Sequence, residues 1–247
     1  MKHLLIDGDG VAYSICAGME HEVKWDDDLH TLHSRLEDCV DVLNNYIKNL
    51  TNKFGKNTTT WAFSSPTNFR KTIDPTYKYH RKKVRKPLAY KSLVEYICSN
   101  YKNETWDDLE ADDVLGYLAT LENNLNKAIV ISDDKDLLTI PGKIYRLGEL
   151  HEITEKAADY NWLYQTLTGD TADGYKGCPG IGPKAASNIL NKECTFDAVE
   201  KTFKSAGLTY DDALRQARLA RILRCNDYNF EHKKVKLWEP KQDVTSS

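Results

Sequence analysis

Residues 2–10 read Lys2-His3-Leu4-Leu5-Ile6-Asp7-Gly8-Asp9-Gly10, and this stretch decides how the rest of the chain is understood. Three apolar residues in succession, without alternation, fit a strand buried on both faces, and such strands belong to parallel sheets. The run ends on Asp7 and opens into a polar Gly8-Asp9-Gly10 loop, which puts a carboxylate at the strand's carboxyl end. Working outward, Leu36, Val40, Leu43, Ile47 and Leu50 recur at helical spacing, and the following Asn57-Thr58-Thr59-Thr60-Trp61-Ala62-Phe63 is a β-branched and aromatic strand. Leu88 to Tyr101 reads as a helix, Val114, Leu118, Leu121 and Leu125 as another apolar stripe, and Ala128 to Ser132 as a strand. Alternating strands and helices predict an α/β fold with a mostly parallel sheet flanked by helices, whose polar sites gather at the carboxyl ends of the strands. Beyond about residue 150 the strand signals fade, and glycine punctuation between Gly169 and Gly182 marks a second, helical subdomain.

With 247 residues, 40% of them hydrophobic and 29% charged, the chain can bury a full-sized core. Leu4-Leu5-Ile6 is too short for the apolar segment of a signal peptide, and no stretch approaches eighteen apolar residues, so secretion and a membrane partner are excluded on this reading. Cys16, Cys39, Cys98, Cys178, Cys194 and Cys225 contain no C-x-x-C pair, which fits reduced thiols in a cytoplasm and argues against structural zinc. The net charge of -3 hides a segregation. Between Arg70 and Lys91 there are nine basic residues and one acid, Asp74, so this window carries +8 and the remainder is near -11.

The acids are clustered as well: Asp7 and Asp9; Glu110, Asp112 and Asp113; Asp133, Asp134 and Asp136; Asp170 and Asp173. For any single cluster the ordinary reading is capping of backbone N–H groups at helix starts. All four together, each at a strand end or helix start, would repel strongly if the topology brings them together, and cations would then be needed to hold them. Oxygen ligands without His or Cys point to Mg²⁺ or Mn²⁺, and so many carboxylates to two ions, the apparatus of in-line attack on a phosphodiester.

Gly177-Cys178-Pro179-Gly180-Ile181-Gly182-Pro183-Lys184 is a tight turn into a helix whose N–H groups could cradle a phosphate, the bland alternative being a helix connector. A charge run is usually a solvated face, but in the basic window Tyr77-Lys78-Tyr79-His80-Arg81-Lys82-Lys83 interleaves aromatics with cations, and that composition favours single-stranded nucleic acid over the solvated-face reading. Arg215, Arg218, Arg221 and Arg224 recur every third residue, and surface solvation and duplex-backbone contact explain them equally well.

Taken in order, I-D-G-D-G at 6–10, Tyr77, Lys78 and Arg81, L-E-A-D-D at 109–113, S-D-D-K-D-L at 132–137, G-D-x-x-D at 169–173 and the glycine hairpin resemble the flap-endonuclease type of 5′ nuclease across nearly the whole chain. The carboxyl-terminal A-R-I-L-R-C-N-D-Y-N-F and the T-A-D-G-Y around Asp173 are most similar to the gene-six kind of 5′ exonuclease in T-seven-like phages. The resemblance implies Asp7, Glu110, Asp112 and Asp113 around one metal and Asp134, Asp136, Asp170 and Asp173 around the other, with Asp133 on a variable position. It implies that Tyr77, Lys78 and Arg81 belong to an arch over the scissile region. Arg70, Lys82 and Lys83 would bind DNA with Gly177, Gly180, Ile181, Gly182 and Lys184, a helix-three-turn-helix often holding K⁺. Residues 1–150, with the arch at about 66–92, would form the nuclease core, and 151–247 the duplex-binding subdomain. One position departs from the pattern: where the family usually places another metal-associated Asp, this chain has Ser64-Ser65, and Asp9 is the residue that would compensate through a bound water.

The function so implied is Mg²⁺-dependent 5′-to-3′ hydrolysis of duplex DNA from a 5′ end or flap, with RNA in RNA/DNA hybrids as a second substrate. In a phage this means primer removal, replication, recombination and host DNA breakdown in the host cytoplasm, beside a single-stranded-DNA-binding protein or replisome. A rival starts from the same I-D-G-D-G, which also resembles the D-x-D motif of haloacid-dehalogenase-like phosphatases, with Asp7 as nucleophile and Asp9 as acid/base. That enzyme would need neither basic arch nor glycine hairpin.

Overall fold

The computed structural model describes residues 2–124 and 127–240; the side chain of Lys82, and Leu125 of the expected apolar stripe, lie outside the described residues. In chain order the elements are β1 Lys2–Asp7, α1 Gly8–Gly18, β2 His21–Lys24, β3 His30–His33, α2 Leu36–Phe54, β4 Asn57–Ala62, α3 Arg70–Ile73, α4 Tyr90–Asn100, β5 Asn103–Glu104 and α5 Ala111–Thr120. There follow β6 Ala128–Ile131, β7 Gly142–Arg146, β8 Glu149–Ile153, α6 Glu155–Thr168, α7 Pro183–Lys192, α8 Phe196–Ser205, α9 Tyr210–Ala220, β9 Tyr228–Asn229 and β10 Lys234–Val235.

The main sheet has the order β5-β4-β1-β6-β7-β8, and only the last pair is antiparallel. β1 is central, as its unbroken apolar run demands, because both its faces are covered. Leu4 and Ile6 pack with Leu43, Leu93 and Ile97 from α2 and α4 on one face, while Leu5 packs with Val114, Leu115 and Val130 on the other. Burying each such side chain contributes roughly 1.5–3 kcal/mol. A third cluster joins α6–α9 around Trp162, Leu167, Phe203 and Ala217, and it includes Tyr77 from the basic window.

The register fixes the site. Ile6 pairs with Trp61 on β4 and with Ile131 on β6, so Asp7, Ala62 and Ser132 stand at one level, at the carboxyl ends of three parallel strands.

Three local readings change. Asp7 is followed directly by helix rather than a loop, because its side chain accepts the Gly10 amide at 2.9 Å and caps α1. The β7–β8 hairpin was not legible in the alternation, its residues being half exposed, but its turn has Leu147 and Gly148 at φ 48° and 86°, the consecutive left-handed residues that favour a tight hairpin. Strand structure therefore continues to Ile153, past the expected boundary at 150. From Ile222 to Tyr228 the chain returns to pack on α5 and the core. Among the described residues no helix is long and apolar enough to cross a membrane.

Candidate active site

Four aspartates form the centre of the site. Asp7, at the end of β1, is buried and accepts the Ser132 hydroxyl at 2.8 Å; burial, with Asp9 and Asp134 adding, pushes its carboxyl up to about 6. Asp134 follows β6, with its amide on Ser132 Oγ and its own Oδ1 accepting the Asp136 amide at 2.9 Å. Asp136 accepts Gln165 Nε2 at 2.6 Å, and burial together with Asp134 pushes it up to about 6. Asp112, in the first turn of α5, is raised well above the carboxylate range by burial and by Asp7 and Asp134, and it has no hydrogen-bond partner among the described residues. Mutual repulsion of this kind marks a set of oxygens that a hard divalent cation would relieve.

The other expected ligands are held by protein cations. Glu110 caps α5 and receives Lys78 Nζ at 2.6 Å, the Tyr77 hydroxyl at 3.0 Å and Arg70 Nη1 at 3.4 Å. Burial alone would raise Glu110, but Lys78 and Arg70 outweigh it and hold the carboxyl down at about 2. Asp173 receives Tyr77 at 3.0 Å, Arg81 at 2.8 Å and Lys78 at 3.4 Å. Asp170 takes Lys135 at 3.2 Å and the amides of Ala172 and Asp173, an Asx turn, and Lys135 draws its carboxyl below the usual range against the effect of burial. Because these oxygens face Lys and Arg, no group of three acids among the described residues converges tightly enough to hold an ion as it stands.

Asp113 differs from its neighbours. It is fully buried, and its oxygens meet Arg70 at 2.6 and 2.7 Å and the amides of Leu223 and Glu110 at 3.2 Å, turned away from the four central aspartates. Arg70, expected to touch DNA, is 3% exposed and completes its hydrogen bonding on the carbonyls of Leu219 and Arg221, so it locks the basic window onto α9 and cannot reach a ligand. Asp133 accepts the Leu147 amide at 2.7 Å and stiffens the β7–β8 turn. Asp9 is occupied too: Ser64 N donates to it at 2.8 Å and Tyr90 OH at 2.7 Å, while Ser64 Oγ accepts the Ala111 amide at the start of α5. Ser64 thus does helix-start work where the family pattern has an acid.

The basic window folds over this group. Tyr77 is buried, Lys78 adopts the left-handed region at φ 53°, and its amide donates to the Asp173 carbonyl at 2.8 Å. Lys83 is exposed, and Arg85 pairs with Glu20.

In the glycine hairpin the residues divide. Gly177 is buried at φ 66°, donates its amide to Gln216, and a Cβ there would lie 2.3 Å from Gly169 N, so its role is packing rather than ligand contact. Gly180, at φ 76°, and Gly182 are exposed with open space around them, Ile181 is half-buried, and Lys184 is exposed in the first turn of α7, which lacks a side-chain cap. Of the periodic arginines, Arg215 is exposed and pairs with Asp212 on its own helix, while the other three are internal struts: Arg218 bonds the Trp238 carbonyl, Arg221 pairs with Asp227 over the Trp162 ring, and Arg224 reaches Asp159 and the Thr139 carbonyl. Sequence reasoning passed over Lys135, Ser132 and Gln165, of which the first two lie inside the S-D-D-K-D-L motif.

Residues 2–162 match the family described as 5′-3′ exonuclease, N-terminal resolvase-like domain. The exonuclease of Escherichia phage T7 is 29% identical, with 96% of this chain and 93% of that protein covered. The structure of the phage T5 5′-exonuclease with bound divalent zinc has the same fold, at TM-score 0.67 and 15% identity over 89% of each chain. A pseudo-enzyme–product complex of the phage T5 flap endonuclease with DNA and metal ions aligns at TM-score 0.63 and 15% identity, again over 89% of each chain. The phosphatase reading of the D-x-D motif finds no support among these proteins, and both oxygens of Asp9, its required acid/base, are already engaged.

Proposed function

This chain belongs to the 5′-3′ exonuclease family, and from that membership we propose that it hydrolyses duplex DNA from a 5′ end or flap, in the 5′-to-3′ direction, leaving 5′ phosphates. The observation that carries the reading is the meeting of two charge sets: four mutually repelling aspartates, Asp7, Asp112, Asp134 and Asp136, faced by Lys78 and Arg81 of the basic window across Glu110 and Asp173.

The donor set is all oxygen and suits Mg²⁺ or Mn²⁺. Asp7, Asp112, Asp134 and Asp136 would hold the ions, with Glu110, Asp170 and Asp173 joining once Lys78, Arg81 and Lys135 turn to phosphate. Asp113 supports them as the counter-ion of Arg70. Bound divalent ions supply activation of water and neutralisation of charge on the phosphoryl oxygens. Lys78 and Arg81 place positive charge where the pentacovalent phosphorus gathers negative charge, and Tyr77, donating to both Glu110 and Asp173, keeps the two carboxylates in register. Gly180, Ile181, Gly182 and Lys184 offer amides and a cation to the duplex backbone, a contact that carries no sequence information, and K⁺ could share this turn. Lys83 adds a peripheral phosphate contact, as does Lys82 by its position in the sequence.

Backbone recognition of this kind also accepts RNA in an RNA/DNA hybrid. In a phage the activity serves primer removal during DNA replication, recombination and host DNA degradation, in the host cytoplasm beside a single-stranded-DNA-binding protein or replisome. The test is a Mg²⁺ titration of EDTA-stripped protein on a 5′-recessed duplex. Cleavage should appear with the ion and vanish in Asp134→Asn, a loss of at least about 3 kcal/mol of transition-state stabilisation, whereas ion-independent cleavage or full activity of the variant would reject the site.

A further inference from the structure

Lys135 stands between Asp134 and Asp136 in the sequence, and its ammonium lies 3.2 Å from Asp170 Oδ2. Two features set it apart from Lys78. The Lys78 side chain is 17% exposed and touches both Glu110 and Asp173, so the carboxylates enclose it; the Lys135 side chain is 65% exposed, and its one partner among the described residues is Asp170. Asp170 does not depend on that partner, because its Oδ1 already accepts the amides of Ala172 and Asp173. An exposed ion pair contributes little to stability, so an incoming phosphate can take the lysine at small cost.

Its place in the fold says which phosphate. Lys78 and Arg81 reach Asp173 from the basic window, while Lys135 reaches Asp170 from the loop after β6, so the turn from Asp170 to Asp173 separates the two sets of cations. That turn is continuous with the glycine hairpin: Gly169 packs against Lys176 and Gly177 with no room for a Cβ, and the Cys178 amide donates to the Leu167 carbonyl at 2.8 Å. Lys135 therefore lies where the aspartates adjoin the hairpin, and Lys78 and Arg81 where they adjoin the basic window. A strand that runs from duplex at the hairpin, across the aspartates, to its single-stranded end at the basic window meets Lys135 on the duplex side of the cut.

We propose that Lys135 leaves Asp170 for the first phosphate on the 3′ side of the scissile one, and so positions the cleaved strand from its duplex side. The assignment rests on the nuclease reading above and adds to it a substrate contact: cleavage requires a charged phosphate one step beyond the bond that is cut, and the ammonium that neutralised Asp170 moves to that phosphate.

The experiment measures single-turnover release of the first 5′ mononucleotide, at saturating Mg²⁺, from duplexes that carry one neutral methylphosphonate. The linkage is placed between nucleotides 2 and 3, the first beyond the cut, or between nucleotides 3 and 4. The parent should be slowed about tenfold or more by the first substitution, the worth of a charge-assisted hydrogen bond. Lys135→Met should cut the unmodified duplex slower by a similar factor and lose less than about twofold further when the first linkage is neutral, while the second linkage slows parent and variant equally. Lys135→Arg, which keeps the charge, should restore the rate and the dependence on the first linkage. A binding readout goes with it: in Ca²⁺, the salt dependence of duplex affinity should be shallower by about one unit of slope in Lys135→Met. A variant that cuts the unmodified duplex at the parent's rate, that keeps the full penalty at the first linkage or loses it at the second, or that binds with the parent's salt slope would overturn the assignment. Failure of the parent to release the nucleotide from the unmodified duplex would instead reject the nuclease reading, and the role of Lys135 with it.

Discussion

Lys78 and Glu110 are ion-paired at 2.6 Å, with their side chains 17% and 16% exposed, so the basic window reaches into the carboxylate group. The same oxygens cannot serve an ammonium and a divalent ion at full strength. Lys78→Ala should lower single-turnover cleavage about a hundredfold, near 3 kcal/mol, with a smaller loss in DNA binding, because the lost charge matters most in the transition state. It should also lower the Mg²⁺ concentration needed for half-maximal rate, since Glu110 is freed. An unchanged rate, or a weaker Mg²⁺ response, would show that the pair has no part in the chemistry.

Arg70 lies in the same window and should behave differently. Removing it leaves Asp113 buried and uncompensated, which typically costs about 3–5 kcal/mol, so Arg70→Met should lower the urea midpoint sharply. Lys83→Ala should leave stability within about 0.5 kcal/mol and make the salt dependence of DNA binding shallower by about one unit of slope. Equal stability of Arg70→Met and the parent would remove the structural role given to Arg70.

The central aspartates give a pH test without DNA. Asp136 rises from the ordinary 3.8 to about 6 because burial and Asp134 penalise its charge, so the folded chain keeps a proton that the unfolded chain has released. The stability this contributes is present below pH 4 and lost as pH rises through 6. Asp136→Asn removes the titration while keeping an acceptor for Gln165. In EDTA its stability advantage over the parent should grow from near zero at pH 4 to roughly 2 kcal/mol above pH 6.5, after discounting for partial exposure, and should shrink when Mg²⁺ is added. A difference independent of pH, read from urea unfolding at each pH, would contradict the crowding of charge.

The glycine hairpin separates folding from binding at two positions three residues apart. Gly177→Ala should unfold the region or the protein, because the new Cβ meets the backbone at Gly169. Gly180→Val, strained at φ 76° but in open space, should leave the fold and weaken duplex binding even in Ca²⁺, which occupies oxygen sites. Unchanged duplex affinity of Gly180→Val, measured by fluorescence anisotropy, would take the hairpin out of the DNA interface.

The sheet was legible because β1 and β6 are buried on both faces and so carry unbroken apolar runs, and Asp7 and Asp134 could be placed at strand ends from that alone. The β7–β8 hairpin was not, since half-exposed residues give no alternation to read. Residue type and spacing likewise could not separate Asp112 from Asp113 or Lys78 from Arg70. Asp113 and Arg70 are buried by α9 and the segment after it, contacts more than a hundred residues away in sequence. The arginines at 218–224 look periodic for the same reason: their partners, among them Asp159, Thr139 and Trp238, are set by tertiary packing rather than by the helix face.

The central claim, ion-dependent hydrolysis from the 5′ end, is tested most directly by incubating 5′-labelled and 3′-labelled copies of one duplex with EDTA-stripped protein, with and without Mg²⁺. Labelled 5′-mononucleotide should be released at once from the first, the second should shorten gradually, and neither should react without the ion. Early loss of the 3′ label, or cleavage undiminished in EDTA, would contradict the claim.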